Sequence, residues 1–154
     1  MRLSVLSSLL LLSGSLAGFG QPSARPNFSG HWKFNSANSE VHDSHESNWT
    51  IEQSANDMRI SSEGGGTSEL RCNLLGQECD SKGRKVTMYF NGPKLVVLDT
   101  EGKHAESVVK RRLSLSDDGN SMQVEVFHIV PPGPVEKLMF QKQAAAKADE
   151  KLTH

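Results

Sequence analysis

At 154 residues, with 17 Lys and Arg against 18 Asp and Glu and a formal charge of −1, the chain has the size of one ordinary domain. Charges of both signs are spread along it, and Lys110-Arg111-Arg112 is the longest basic run. That balance argues against a surface tracking nucleic-acid phosphates.

Residues 1–20 open with the single cation Arg2, continue with an apolar, Ser-punctuated run over 3–12 and end in small residues over 13–18. This is the order of a secretory signal peptide, and the apolar core is too short to span a bilayer. Ser15 with Ala17, or Gly18 with Gly20, supplies the small pair for cleavage. The mature chain is expected to begin between Gly18 and Gln21, one unit more negative for the loss of Arg2. It is expected to be soluble in a periplasm or outside the cell, monomeric, and without a membrane span.

After an extended, Pro-containing lead-in over 21–27, residues 28–34 read as a first strand, with Gly30, Trp32 and Phe34 on one face and His31 and Lys33 on the other. Gly-x-Trp at this position suits a barrel end: the Gly lets the backbone pass close and the Trp plugs the opening. Residues 35–47 are polar and aperiodic, a long loop with a short helical turn expected over 37–41. Residues 48–53 and 58–62 alternate as a hairpin, and Gly64-Gly65-Gly66 turns into a strand over 67–73.

Cys72 and Cys79 flank a turn-like stretch, Asn73 to Glu78, that fits two strands laid side by side. In an exported protein such a pair reads as a disulfide ahead of two free thiols, and a zinc site lacks its remaining ligands. Val86, Met88 and Phe90 then alternate into Asn91-Gly92, a strong hairpin signal that leads into residues 94–100. Further strands are read over 105–115, 122–130 and 135–142, and the Ala-rich residues 144–154 form a frayed helix or tail. The count is eight or nine short strands and no core-building helix. An all-β, antiparallel up-and-down barrel over residues 27–143 is expected, and βαβ nucleotide sites are excluded.

Asn27-Phe28-Ser29-Gly30-His31-Trp32-Lys33-Phe34-Asn35 resembles the opening of small exported bacterial lipocalin-like proteins, in which Phe-Ser-Gly-x-Trp-Lys leads from the signal peptide into the first strand. Trp49 to Gln53, Leu95-Val96-Val97, Arg112 to Met122 and Phe140 to Gln143 are similar to the same family in the same order. The resemblance implies an up-and-down barrel without established catalytic residues. It also implies a small apolar ligand inside, as in related lipocalins.

On alternation, Arg111 falls between Val109 and Leu113 on the inward face, and His128 follows Met122, Val124 and Val126. Inward polar groups either meet structural partners or form the polar floor of a ligand site, and a guanidinium at a barrel mouth suits a carboxylate. The expected cavity residues are Trp32, Met88, Phe90, Val97, Arg111, Val126 and His128. Core packing accounts for the aromatics equally well. His42 and His45 with neighbouring acids have a metal-compatible spacing, but a solvated loop is the plainer reading, and neither metal nor cofactor is expected. No nucleophile elbow or triad is recognisable, so an enzyme ranks behind a ligand-binding barrel and a self-filled structural or interaction domain of the envelope. A hollow of several hundred Å³ distinguishes the first of these from the second.

Overall fold

The structure, a computed structural model, describes residues 24–42, 47–63 and 68–145. The signal segment, the stretch holding His45 and most of the Ala-rich tail lie outside these residues.

Among the described residues ten antiparallel strands form one sheet: β1 (Gly30–Phe34), β2 (Trp49–Gln53), β3 (Asp57–Ser62), β4 (Glu69–Asn73), β5 (Leu75–Ser81), β6 (Arg84–Asn91), β7 (Lys94–Glu101), β8 (Ser107–Leu115), β9 (Ser121–Val130) and β10 (Glu136–Lys142). Each pairs with its neighbour in sequence except β4 with β5, and β1 closes against β10, giving the order β4-β3-β2-β1-β10-β9-β8-β7-β6-β5. The result is a near-closed up-and-down barrel. The count exceeds the expected eight or nine because β5 occupies the stretch expected to be a turn. Its residues are mostly exposed, so Leu-Gly-Gln-Glu lacks the alternation that reveals a half-buried strand.

The helical turn expected over 37–41 is a 3₁₀ segment at Ser36–Asn38, capped by the Asn35 side chain, and Glu40 is bridged to Lys137. The Asn91-Gly92 signal marks the correct hairpin, but Asn91 pairs with Lys94, so Gly92 and Pro93 are the turn residues. Gly92, at φ +60, takes the first central position, where glycine tolerates the positive angle and Pro93 need not donate to a ladder.

One end of the barrel is plugged. Trp32 and Phe28 are fully buried there, and Trp32 Nε1 donates to Phe28 O at 2.9 Å. The Phe28 ring lies 6.2 Å from that of Phe90. Gly30 has φ +144, and a Cβ there would meet Lys142 Cε at 2.9 Å. Glycine therefore lets the Lys142 chain cross to place Nζ 5.6 Å from the centre of the Trp32 ring.

Between β4 and β5, where no ladder runs, Cys72 and Cys79 are disulfide-bonded with Cα atoms 5.5 Å apart. Ser81 adds a second tie: its Oγ accepts from Arg71 N at 3.0 Å and donates to Glu69 O at 3.2 Å. The two cysteines thus staple the one seam that backbone hydrogen bonds leave open.

Candidate functional site

The opposite end, the mouth, carries the charged inward side chains. Inward alternation along β7 gives Leu95, Val97 and then Asp99, and along β6, read toward the mouth, Phe90, Met88, Val86 and then Arg84. Arg111 on β8 points inward, as the alternation predicts, and its Nη1 reaches Asp99 Oδ2 at 3.3 Å. Arg84 Nη1 lies 3.5 Å from the same oxygen, and its Nη2 reaches Glu101 Oε2 at 3.1 Å. Asp99 is 4 % exposed, and its Oδ1 has no hydrogen-bond partner among the described residues. Two guanidiniums thus converge on one oxygen of a buried carboxylate, an arrangement strengthened by the low dielectric around it.

Arg84 and Arg111 form one wall of a cavity of about 50 Å³. The other wall is Trp49, Ile60 and Leu70, with the hydroxyls of Ser62 and Ser68 at the rim. The site is therefore half cationic and half apolar. Its volume holds one or two waters, about 30 Å³ each, and is well below the roughly 300 Å³ at which small-molecule sites begin.

The hollow of several hundred Å³ that would favour an internal ligand is not present among the described residues, and the packed interior found in its place counts against a ligand held inside the barrel. Trp32, Met88, Val97 and Val126 are buried to 2 % exposure or less within one hydrophobic cluster, and the partly buried Phe90 packs against it. Trp49 and Phe140 stack 4.7 Å apart in the same filling, with Met58 and Met122 occupying further interior space. Short strands and large side chains leave little room between opposite walls. Larger recesses of about 550 and 340 Å³ are open surface grooves beside the plugged end, lined by residues such as Asn27, Lys94 and Asp118 in one and Glu52, Asp57 and Arg71 in the other.

Of the seven residues expected at the cavity, Arg111 lines it. His128 is also at the mouth, on β9 beside the strand of Arg111, with Nε2 3.2 Å from Glu136 Oε2. Glu136 is fully buried, and its Oε1 accepts from His42 N at 2.8 Å. This carboxylate holds the segment after β1 against the barrel, helped by the paired backbone bonds between Glu40 and Lys137. Trp32, Met88, Phe90, Val97 and Val126 are interior filling and plug. Among the described residues, no group of three or more His, Cys, Asp or Glu is placed to hold a metal ion.

Arg84, Asp99 and Glu136 escaped the sequence reading, yet each occupies the inward phase at the mouth end of its strand. A charged residue in the apolar phase of an alternating strand was the signal available.

No family model and no curated protein sequence matches the chain. Solved structures do share its fold. Lipid binding protein 8 of Caenorhabditis elegans, in its apo form, superposes with a TM-score of 0.59 at 12 % identity, covering 75 % of this chain and 95 % of that one. Secretory abundant heat soluble protein 4 of Ramazzottius varieornatus gives 0.56 at 11 % identity, covering 80 % and 99 %. The fatty-acid-binding protein isolated from Manduca sexta gives 0.54 at 14 % identity, covering 75 % and 99 %. At these identities the likeness is one of fold: the chain is an all-β, near-closed, ten-stranded barrel built like those of lipid-binding proteins.

Proposed function

We propose that the chain is an exported, non-enzymatic, monomeric lipocalin-like binding module, which takes the polar group of a small amphipathic molecule at its mouth. The observation that carries this reading is the pair Arg84 and Arg111 converging on the Asp99 carboxylate beside the apolar wall of Trp49, Ile60 and Leu70. Those guanidiniums are suited to a carboxylate head group, and the facing wall suits the first part of an alkyl chain. The buried Trp32, Met88, Phe90, Val97 and Val126 then serve as the firm floor beneath the ligand. The lipid-binding names of two fold neighbours agree with such a role.

Fluorescence titration of a Trp32→Phe variant, in which Trp49 is the remaining tryptophan, tests it with decanoate and decanol as probes. Decanoate is expected to shift Trp49 emission saturably and to bind more tightly than decanol. The Arg111→Gln variant is expected to lose about tenfold in decanoate affinity, the equivalent of one charge-assisted hydrogen bond. No saturable response to either probe would refute the reading. It would favour instead a self-filled barrel acting as a structural or interaction domain, the alternative that the small cavity supports.

A further inference from the structure

The β9–β10 hairpin ends at the mouth in seven consecutive exposed residues, Ile129-Val130-Pro131-Pro132-Gly133-Pro134-Val135, none with a polar side chain. Ile129 is 46 % exposed, Val130 39 % and Val135 50 %, so this tip holds three of the five large hydrophobic residues that are exposed among the described residues. Three prolines restrict its backbone, and an extra residue in β9 near Ile129, opposite the step from Val108 to Val109, breaks the alternation that would have turned one of these side chains inward.

On the outer face below the tip, alternation presents Lys110 and Arg112 on β8 and Lys137 on β10, because their neighbours Arg111 and Glu136 point inward. The acids beside them are Glu125, which Arg112 holds at 2.7 Å and which sits opposite Lys137, and the exposed Glu40, which is bridged to Lys137. Three cations against two carboxylates leave the collar positive by one charge. Lys110 lies two residues from Val108, the partner of Val130, and Arg112 and Lys137 both sit opposite Glu125, two residues lower, which puts the collar about 7–13 Å below the start of the turn at the usual strand rise.

We infer that this hairpin tip inserts into the surface of an anionic lipid bilayer, with Lys110, Arg112 and Lys137 at the level of the head groups. An apolar tip backed by cations at that spacing matches interfacial insertion, in which apolar side chains enter by about 5–10 Å and basic residues stay with anionic heads. A protein partner fits less well. The tip offers no side-chain hydrogen bonds and falls far short of the roughly 20–30 residues that a stable interface uses on each side. The inference uses a surface separate from the Arg84–Arg111 cavity and stands whether or not that cavity holds a ligand.

Flotation with phosphatidylcholine vesicles, with and without phosphatidylglycerol, tests it on the mature chain. The wild type is expected to float with the anionic vesicles, less so in high salt. A Val130→Ser/Val135→Ser double variant, whose changes are at exposed positions and which is checked for an unchanged thermal midpoint, is expected to bind about tenfold more weakly. A Lys110→Gln/Lys137→Gln variant should keep the apolar contribution and lose the preference for anionic lipid. Failure of the wild type to float with either vesicle would overturn the inference. So would undiminished binding by the double serine variant, or a wild-type dimer in sedimentation velocity that the serine changes abolish.

Discussion

Opening the Cys72–Cys79 bridge is expected to loosen one seam of the barrel while the remaining ladders stand. The bridge closes a short loop, seven positions apart in sequence, which in the chain-entropy picture stabilises by about 2.5 kcal/mol. For a domain of roughly 120 residues this corresponds to a drop of roughly 10 °C in the thermal midpoint. The effect should be local, because β4 and β5 share no ladder and a few side-chain ties would remain: the Ser81 hydroxyl, the Asn73 side chain that accepts from Leu75 N at 3.0 Å, and the Glu69–Lys82 pair. The comparison is between oxidised protein, the same protein with reductant, and Cys79→Ala, by thermal unfolding and amide hydrogen exchange. Exchange should rise in β4 and β5 and stay slow in the long β8–β9 pairing. An unchanged midpoint, or faster exchange spread evenly over the barrel, would refute the seam argument.

Trp32→Ala should cost about 3–5 kcal/mol in denaturant unfolding, as for other large buried side chains, and Trp32→Phe distinctly less, because the hydrogen bond to Phe28 O is lost while most of the packing survives. Equal losses would mean that the indole bond, and not the plug, stabilises that end. Asp99→Asn should destabilise by about 1–3 kcal/mol, since Arg84 and Arg111 lose their shared carboxylate at the mouth; a stability equal to wild type in chemical unfolding would contradict the cluster. The Glu125 carboxyl is held below its ordinary range, chiefly by the hydrogen bond from Arg112 and then by nearby positive charge. Its contribution to stability is therefore complete above the ordinary glutamate range and is lost as pH falls through the lowered value. Carboxyl-carbon NMR of Arg112→Gln should show Glu125 titrating at higher pH than in the wild type, and an unmoved titration would refute the pairing.

The features that alternation encodes were readable from residues alone. Trp32 at the plug, Arg111 and His128 facing inward, and the cysteine pair all follow from period two or from a turn between strands. β5 was not readable, because the exposed run Leu75 to Glu78 gives burial no pattern to impress on the sequence, and its turn uses Lys82 at φ +51, a conformation that no lysine signals. Whether the barrel is hollow was equally hidden. Met88, Phe90 and Val97 are the residue types of a ligand lining and of a packed core alike, and only the distance between opposite walls decides. Arg84, Asp99 and Glu136 could have been found, each being a charge in the inward phase at a strand's mouth end.

Chemical-shift mapping with decanoate on isotope-labelled mature protein tests the central claim most directly. The account predicts that saturating shifts concentrate on the backbone amides of Trp49, Ser62, Leu70, Arg84 and Arg111 around the mouth, with Phe28, Phe90 and Gly92 at the plugged end unmoved. Shifts centred on the plugged end, or none at any concentration, would contradict it.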